Sequence, residues 1–360
     1  MANSFKTLLP EDVATTRTLL HEAIPITGTI VSGTYEDENI KYFSHGMFVG
    51  VYDYPFLSSS ANNVFDLTVG YASGSEFQGT QPNGFENVQD TKKINIYNQM
   101  AQVLVGYDIS GAIQQFDVDG NLGGGTKMDS CFFINFARLL NKDEIKKESL
   151  ILSLYTSTPD GSTAAADRNG TKAIGDYRAQ TEYLTNSPAG EYGLLYTSSD
   201  APEPLGASVV GHVYYQAGVV VLTSSIFTAA VPTMTSASKM TTVTTSSVED
   251  LLVSGTIDEC SNAIRYAYDD LDFNNTTELN STVYFCRANN TEFNYSSNPT
   301  YLSSSQIVVK GNNPLANPVS YMTTVGLYSP DNELLAVAKL SEPLKKSPSN
   351  EITLKVRLDY

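Results

Sequence analysis

The sequence predicts a mainly β fold with a few helices, organised as β-sandwich-like domains. Short apolar stretches alternate with polar residues along most of the chain, and Gly, Pro, Asn and Ser separate them at the spacing typical of strands and turns. One stretch, near residues 92–105, instead carries apolar residues at the spacing of an amphipathic helix. We therefore expect sheets to form the core, with one central helix packed on them.

Shifts in composition divide the 360 residues into four predicted segments. Residues 1–25 are expected to form an arm with one helix, and residues 26–156 a first β-rich domain that contains the central helix. Residues 157–248 combine a turn-rich insertion with an uncharged β segment. Residues 249–360 are expected to form a C-terminal β domain, and a chain of this length is sufficient for about two domains.

The helix of the N-terminal arm is predicted from its start signal. Pro10 is followed by two acidic residues, which are favourable in the first turn of a helix. Val13, Leu19 and Leu20 would give this helix a partial apolar face. Pro25 would end it, because proline cannot continue a helix.

The first β-rich domain combines strand and helix signals. Residues 65–71 alternate between apolar and other side chains, as a half-buried strand does. Further on, Asp90 or Thr91 is a candidate cap of the central helix, and Gly106 is well placed to end it. The predicted buried stripe of this helix comprises Ile96, Met100, Val103 and Leu104. A strand over 149–155 closes the domain, and residues 157–180 follow as a predicted surface loop or linker.

A long run without charged residues extends from Pro204 to Ser238. The run is long enough to cross a bilayer, but its glycines, its Pro232 and its β-branched stretches are more typical of strands. It is therefore predicted to form buried strands or a subunit interface, and not a membrane span. The residues that we place in the possible interface are Val219, Val220, Val221 and Leu222.

The C-terminal segment ends in a clear amphipathic strand. Ile352, Leu354 and Val356 lie on one predicted face, and they form a second possible interface because an apolar strand edge can pair with a neighbour. Before this strand, residues 321–327 and 334–340 flank a turn sequence and predict a β-hairpin.

The charge balance excludes several classes of partner. The net charge is −17 and the pI is near 4.5, so phosphate backbones and anionic membrane surfaces are repelled. Cys131, Cys260 and Cys286 are too widely spaced for a zinc site and are expected to be buried free thiols. The first residues lack the apolar stretch of a signal peptide, which favours synthesis and folding in a reducing cytoplasm.

Signals for catalysis are weak throughout the sequence. His21, His45 and His212 have no second histidine or cysteine at ligand spacing, and no nucleophile elbow or phosphate-binding loop is present. The acidic stretch 117–121 lacks the spacing of a calcium loop, so Asp119-Gly120 is predicted to be a turn. We therefore expect a protein that is not an enzyme and has no cofactor or metal. Its 22 tyrosines leave sugar binding as an alternative.

Several stretches resemble an uncharacterised class of virion structural proteins of contractile-tailed phages of marine bacteria, a cyanophage-like group. The resemblance is scattered from about residue 40 to the end of the chain. The stretches that carry it are 95–102 (NIYNQMAQ), 132–139 (FFINFARL), 142–147 (KDEIKK), 211–218 (GHVYYQAG), 292–299 (EFNYSSNP) and 326–346. The class supplies no catalytic residues.

The resemblance implies a structural subunit of a tailed-phage virion, in the tail or baseplate, made in the host cytoplasm. Its expected partners are other virion proteins and copies of itself, because unpaired strand edges require neighbours. The alternatives are a receptor- or glycan-binding tail protein, a neck or head decoration protein, and a cellular β protein without a viral role.

Overall fold

The predicted mainly β fold with few helices is confirmed. The computed structural model describes residues 6–28, 30–31, 38–75, 88–155, 171–197, 209–227, 230–234, 243–247, 251–253, 255–294, 302–303, 306–307 and 319–360. Strands account for 49% of the structure and helices for 18%.

The strands are β1 (Val13–Thr27), β2 (Ile40–Tyr42), β3 (Val49–Tyr52), β4 (Asn63–Tyr71), β5 (Ser130–Phe136), β6 (Glu144–Ile145), β7 (Ile151–Tyr155), β8 (Thr171–Gly175), β9 (Leu184–Ser187), β10 (Gly190–Tyr196), β11 (Val209–Tyr214), β12 (Val219–Thr223), β13 (Ala230–Met234), β14 (Val243–Ser247), β15 (Tyr268–Ala288), β16 (Leu302–Ser303), β17 (Gln306–Ile307), β18 (Ser320–Tyr328), β19 (Leu334–Lys346) and β20 (Ile352–Asp359). The helices are α1 (Val88–Leu104), α2 (Arg138–Asn141), α3 (Ala179–Glu182) and α4 (Ile257–Ala267).

One antiparallel sheet of 14 strands dominates the fold. Its main path runs β1-β15-β7-β8-β10-β11-β12-β5-β4-β3-β2, with β20 and β6 paired to β15 and β9 paired to β10. Three two-stranded sheets, β13–β14, β16–β17 and β18–β19, lie outside this path.

The chain divides into two compact units. The terminal unit comprises residues 1–19 and 278–360, and the central unit comprises residues 20–277. Strands β1 and β15 each contribute residues to both units. The segment boundaries predicted from composition remain predictions.

The hydrophobic core lies in the central unit. Every residue of the connected cluster of buried apolar side chains falls between Ile26 and Phe273. Strands β5, β11 and β12 are buried along almost their whole length, and β12 pairs with β11 on one edge and β5 on the other. Strand β4 is buried on both faces, so the half-buried strand predicted over 65–71 is corrected.

The predicted central helix is present as α1, which packs on β4. A side chain at Gly70 of β4 would lie 2.7 Å from the backbone of Lys93 and of Tyr97, so only glycine permits this close approach. The helix begins before the predicted caps, and Asp90 is a buried helical residue that accepts a hydrogen bond from Tyr71. Val103 is exposed, which corrects its place in the buried stripe, because the stripe follows Ile96, Tyr97, Ala101 and Leu104.

The helix predicted for the N-terminal arm is wrong. Residues Pro10–Asp12 form a single 3-10 turn, after which β1 runs through Leu19, Leu20 and Pro25 as a strand. The physical reason is the β-branched residues Val13, Thr15, Thr16 and Thr18 together with pairing to β15, which outweigh the local start signal.

The predicted loop over 157–180 is also corrected in part. Residues 156–170 lie outside the described residues, but Thr171–Gly175 form β8, which pairs with β7. The Asp119-Gly120 turn is confirmed, since Gly120 has a positive φ of 70° and its N–H donates to the carbonyl of Asp117.

Candidate protein-contact surface

The described residues of the terminal unit form strands without a hydrophobic core. None of them belongs to the connected cluster of buried apolar side chains, and Ala288 is their one buried apolar residue. A sheet normally buries one face against another layer, and two-stranded hairpins are marginally stable alone. The described part of this unit therefore has exposed β structure that is a candidate surface for contact.

Polar contacts fix the local geometry of the terminal unit. Asp12 forms an ion pair with Arg287 at 2.7 Å, and Lys6 forms one with Glu292 at 2.5 Å. Eight residues of β20 also pair in register with Ser281–Ala288 of β15. Ion pairs thus connect the N-terminal residues to β15 and the residues that follow it, and backbone hydrogen bonds connect β15 to β20.

The second predicted interface lies on β20. Ile352, Leu354 and Val356 are half-buried and pair with Ala288, Cys286 and Tyr284, which places these residues on one apolar face. Within the described residues β20 pairs with β15 alone, so its other edge has backbone groups without a neighbouring strand. The possible interface at these three residues remains a prediction, and its position on an edge strand supports it.

The predicted hairpin is present as β18–β19, and among the described residues one of its faces is exposed while the other is half-buried. Its register alternates across the two strands, with pairs such as Val325 and Ala338 on one face and Gly326 and Val337 on the other. Leu335 is 66% exposed and Val337 is 51% exposed. These apolar side chains are exposed to solvent, where they contribute little to the stability of a monomer.

A buried lysine anchors the base of the hairpin. Lys346 is completely buried, and its ammonium donates to the carbonyls of Asn290 and Ser347 and to the side chain of Asn294. A buried ammonium needs such acceptors because its desolvation is costly. The anchor holds the start of the ribbon in place while the turn end carries the exposed apolar residues.

The two units differ completely in charge. The terminal unit contains nine basic and nine acidic residues, whereas the central unit contains 13 basic and 30 acidic residues. The net charge of −17 is therefore carried entirely by the central unit. A contact made through the terminal unit would bring neutral surfaces together and would keep the acidic surfaces of the central units out of the interface.

The first predicted interface is corrected by the structure. Val219, Val220, Val221 and Leu222 form β12, where their side chains are buried and both backbone edges are paired. They are core residues because the charge-free run supplies the interior of the central sheet. Residues 204–208, 228–229 and 235–238 of this run lie outside the described residues.

The titratable groups that are most perturbed lie in the interior of the central unit. His212 lies next to the rings of Tyr192 and Tyr214, and burial lowers its pKa to about 4. Burial raises the pKa of the Cys131 thiol and raises that of Cys260 to about 12, so both thiols are protonated at neutral pH. These groups fill the core as neutral side chains.

Asp176 is a buried carboxylate with a structural role. It accepts hydrogen bonds from the backbone N–H groups of Glu148 and Leu150 and from the hydroxyl of Tyr215. Burial nevertheless raises its pKa to about 6. Through these hydrogen bonds Asp176 connects the segment before β7 to the turn after β8.

Cys131 and Cys260 are buried free thiols, as predicted, but Cys286 is only half-buried. The reason is its position on the part of β15 that lies in the terminal unit, where no core forms around it. Among the described residues, no group of three histidine, cysteine or acidic side chains is placed to hold a metal ion. The expected absence of cofactors and of enzymatic activity remains a prediction.

The acidic stretch 117–121, which lacks the spacing of a calcium loop, forms an ion pair with a lysine of the same loop. The ammonium of Lys127 lies 2.5 Å from Oδ2 of Asp117 and 3.1 Å from the carbonyl oxygen of Gly123. A lysine thus occupies the place between the oxygen atoms of this loop.

Sequence reasoning missed the exposed residues of the hairpin. The signal was present, because β19 contains apolar residues on both of its alternating faces, as at Leu334, Leu335 and Val337. A strand that is apolar on both faces is normally buried on both faces. An exposed strand with this pattern indicates a contact surface.

Comparison of the chain with protein-family models, with curated proteins and with solved structures found no match. No helix in the part of the chain that the structure describes has the length and apolar character needed to cross a membrane.

Proposed function

We propose that this protein is a structural subunit of a tailed-phage virion, in the tail or baseplate, and that it acts through repeated contacts between copies of itself and with other virion proteins. The observation that carries the proposal is the terminal unit, whose described residues have strands, exposed apolar side chains and an unpaired edge but no apolar core. The assignment to a phage particle rests on the sequence resemblance.

A second copy of this chain is the proposed occupant of the contact surface. The surface comprises the free edge of β20 and the exposed face of the β18–β19 hairpin. Edge strands pair with neighbours through main-chain hydrogen bonds, and alternate side chains supply specificity. The zero net charge of the terminal unit favours contact between identical copies, while the acidic central units disfavour every contact made through themselves.

The contact is tested on the full chain by sedimentation velocity over a range of concentrations. We expect self-association that Leu335→Lys and Val337→Lys weaken at least tenfold. Matched controls exist in the central unit, where Leu57 is 87% exposed and Val103 is 62% exposed. Leu57→Lys and Val103→Lys introduce the same charge and are expected to leave association unchanged.

Two results would contradict this contact surface. The first is a chain that stays monomeric at every concentration. The second is an equal loss of association in the hairpin variants and in the controls, because that would reflect charge alone.

The place in a virion is tested by mass spectrometry of gradient-purified particles, with heads and tails separated before digestion. Recovery in the tail fraction at a fixed stoichiometry is the expected result. Recovery in heads alone would overturn the tail position in favour of a neck or head role. Absence from both fractions would overturn the virion assignment.

A further inference from the structure

The central unit contains a polar cavity that the proposed assembly role does not use. Its volume is about 360 Å³, within the range of small-molecule sites. It opens beside α1, between the end of β4 and the two loops that follow the helix. The lining residues are Ala72, Ser73, Tyr97, Asn98, Asp108, Ile113, Gln114, Gln115, Leu122, Gly123 and Lys127.

The wall formed by residues 106–114 is held in shape by its own hydrogen bonds. Oδ1 of Asp108 accepts from the N–H groups of Ser110 and Ala112, and Gln114 donates its N–H to the carbonyl of Gly106. Tyr107 and Ile113 form a β-bridge across the same loop. The wall is therefore preorganised, which reduces the entropy lost when a ligand binds.

Three amide side chains in the cavity have no partner within the described residues. Asn98, Gln114 and Gln115 are half-buried, and none of their side-chain atoms makes a hydrogen bond to the described part of the protein. Each amide offers a carbonyl acceptor and an NH₂ donor. Polar groups that line a cavity without protein partners are available to a ligand that carries both donors and acceptors.

The charges around the cavity disfavour an anionic ligand. Lys127 is already paired with Asp117 and with the carbonyl of Gly123, so its positive charge is neutralised within the protein. Hydrogen bonds from Ser110 and from nearby backbone N–H groups lower the pKa of Asp108, which keeps this carboxylate ionised. The local charge is thus negative, as is that of the whole central unit.

The mouth of the cavity also carries apolar surface. Ile113 and Leu122 belong to its lining, and the adjoining loop exposes Tyr107 and Ile109, of which Ile109 is fully exposed. An aromatic or aliphatic side chain can cover the C–H face of a sugar ring while amides bind the hydroxyl groups. Neutral polyols without such a face gain less from this arrangement.

We propose that this cavity binds a neutral carbohydrate, with Asn98, Gln114, Gln115 and the carboxylate of Asp108 as hydrogen-bonding groups and with Tyr107 against the sugar ring. The site lies in the central unit and does not depend on the contact surface of the terminal unit. It would add saccharide recognition to a subunit whose assembly uses other residues.

The proposal is tested by applying the full chain to an array of neutral and anionic glycans and then titrating the neutral hits by calorimetry. Asn98→Ala and Gln115→Ala are expected to weaken binding at least tenfold. Asn95→Ala is the matched control, because Asn95 is an exposed asparagine one turn earlier on α1 and outside the lining.

Three outcomes would overturn the proposal. They are an absence of neutral-glycan binding at millimolar concentration, a preference for sulfated or sialylated glycans, and a loss of binding in Asn95→Ala equal to that in Asn98→Ala. Near-UV circular dichroism of each variant separates loss of the site from loss of the fold. Sedimentation of the Asn98→Ala variant is expected to match that of the unaltered chain, which separates this test from that of self-association.

Discussion

The central and terminal units differ in how far their strands are buried and in the net charge that they carry. The central unit buries its strands under apolar side chains from Ile26 to Phe273 and carries all of the net negative charge. The described strands of the terminal unit are neutral in sum, bury one apolar residue and leave an edge unpaired. The central unit therefore has an apolar core that stabilises it, whereas the described strands of the terminal unit have none.

The difference teaches where sequence changes should affect stability and where they should affect assembly. A strand valine such as Val220 in the central unit is a packing residue, whereas Val337 in the hairpin is an exposed residue that we propose makes a contact. The following predictions test this difference, from the largest expected effect to the smallest.

The largest effect is expected for Val220→Lys. Val220 is completely buried on β12, which is paired on both edges, so the ammonium would be desolvated without an acceptor. We expect a loss of about 4 kcal/mol or more in the free energy of unfolding, or no folded protein. Urea unfolding followed by circular dichroism measures this loss. A stable Val220→Lys monomer would show that β12 is not core.

The next effect is expected for Lys93→Met. Lys93 is completely buried, and its ammonium donates to the carbonyls of Leu252 and Gly255 at 2.5 and 2.7 Å. Methionine would leave both acceptors unsatisfied, at an expected cost of about 2–4 kcal/mol. Lys92→Met is the control, because the hydrogen bond that Lys92 donates to the carbonyl of His45 is exposed. Equal losses in chemical denaturation of the two variants would contradict the role given to Lys93.

A pH dependence is expected from Asp176. Its folded pKa of about 6 lies above the ordinary value of 3.8, so its contribution to stability is full below pH 3.8 and is lost as the pH rises through 6. Between pH 4.5 and 7.5 this loss amounts to about 2 kcal/mol. The free energy of unfolding is measured at both pH values for the unaltered chain and for Asp176→Asn, and their difference isolates this carboxyl. A difference that does not change with pH would contradict the raised pKa.

The smallest effect on stability is expected for Val337→Lys. Its side chain is half exposed on the hairpin, so the free energy of unfolding of the monomer should change by less than about 0.5 kcal/mol. Together with Val220→Lys, this variant makes one chemical change in each unit. A loss of several kcal/mol at low protein concentration, where the chain is monomeric, would show that the hairpin belongs to a core.

Much of the fold follows from local pattern. The alternation along β7 and β20 and the helical spacing of α1 were sufficient, because each pattern agrees with the burial that the tertiary structure imposes. The prediction of a helix before Pro25 was wrong, because a start signal of three residues is weaker than strand pairing with β15. The charge-free run was predicted to be strands, which β11 and β12 confirm, but the pattern could not distinguish core from interface.

The candidate sites were less accessible to sequence reasoning. The edge position of β20 depends on the order of strands, which periodicity does not encode. The cavity brings Ser73, Asn98 and Gln115 together from separate elements, and isolated polar residues give no signal of their convergence. Lys93 is likewise a buried charge whose acceptors lie about 160 residues away in the chain.

The separation of charge between the units has a consequence for the medium in which copies associate. If neutral surfaces make the contact, each added copy brings 17 further negative charges and no compensating ion pair across the joint. Added salt would then shorten the range of the repulsion, from about 30 Å at 10 mM to about 8 Å at physiological ionic strength. Self-association would then strengthen with ionic strength, which is the reverse of an interface held by salt bridges.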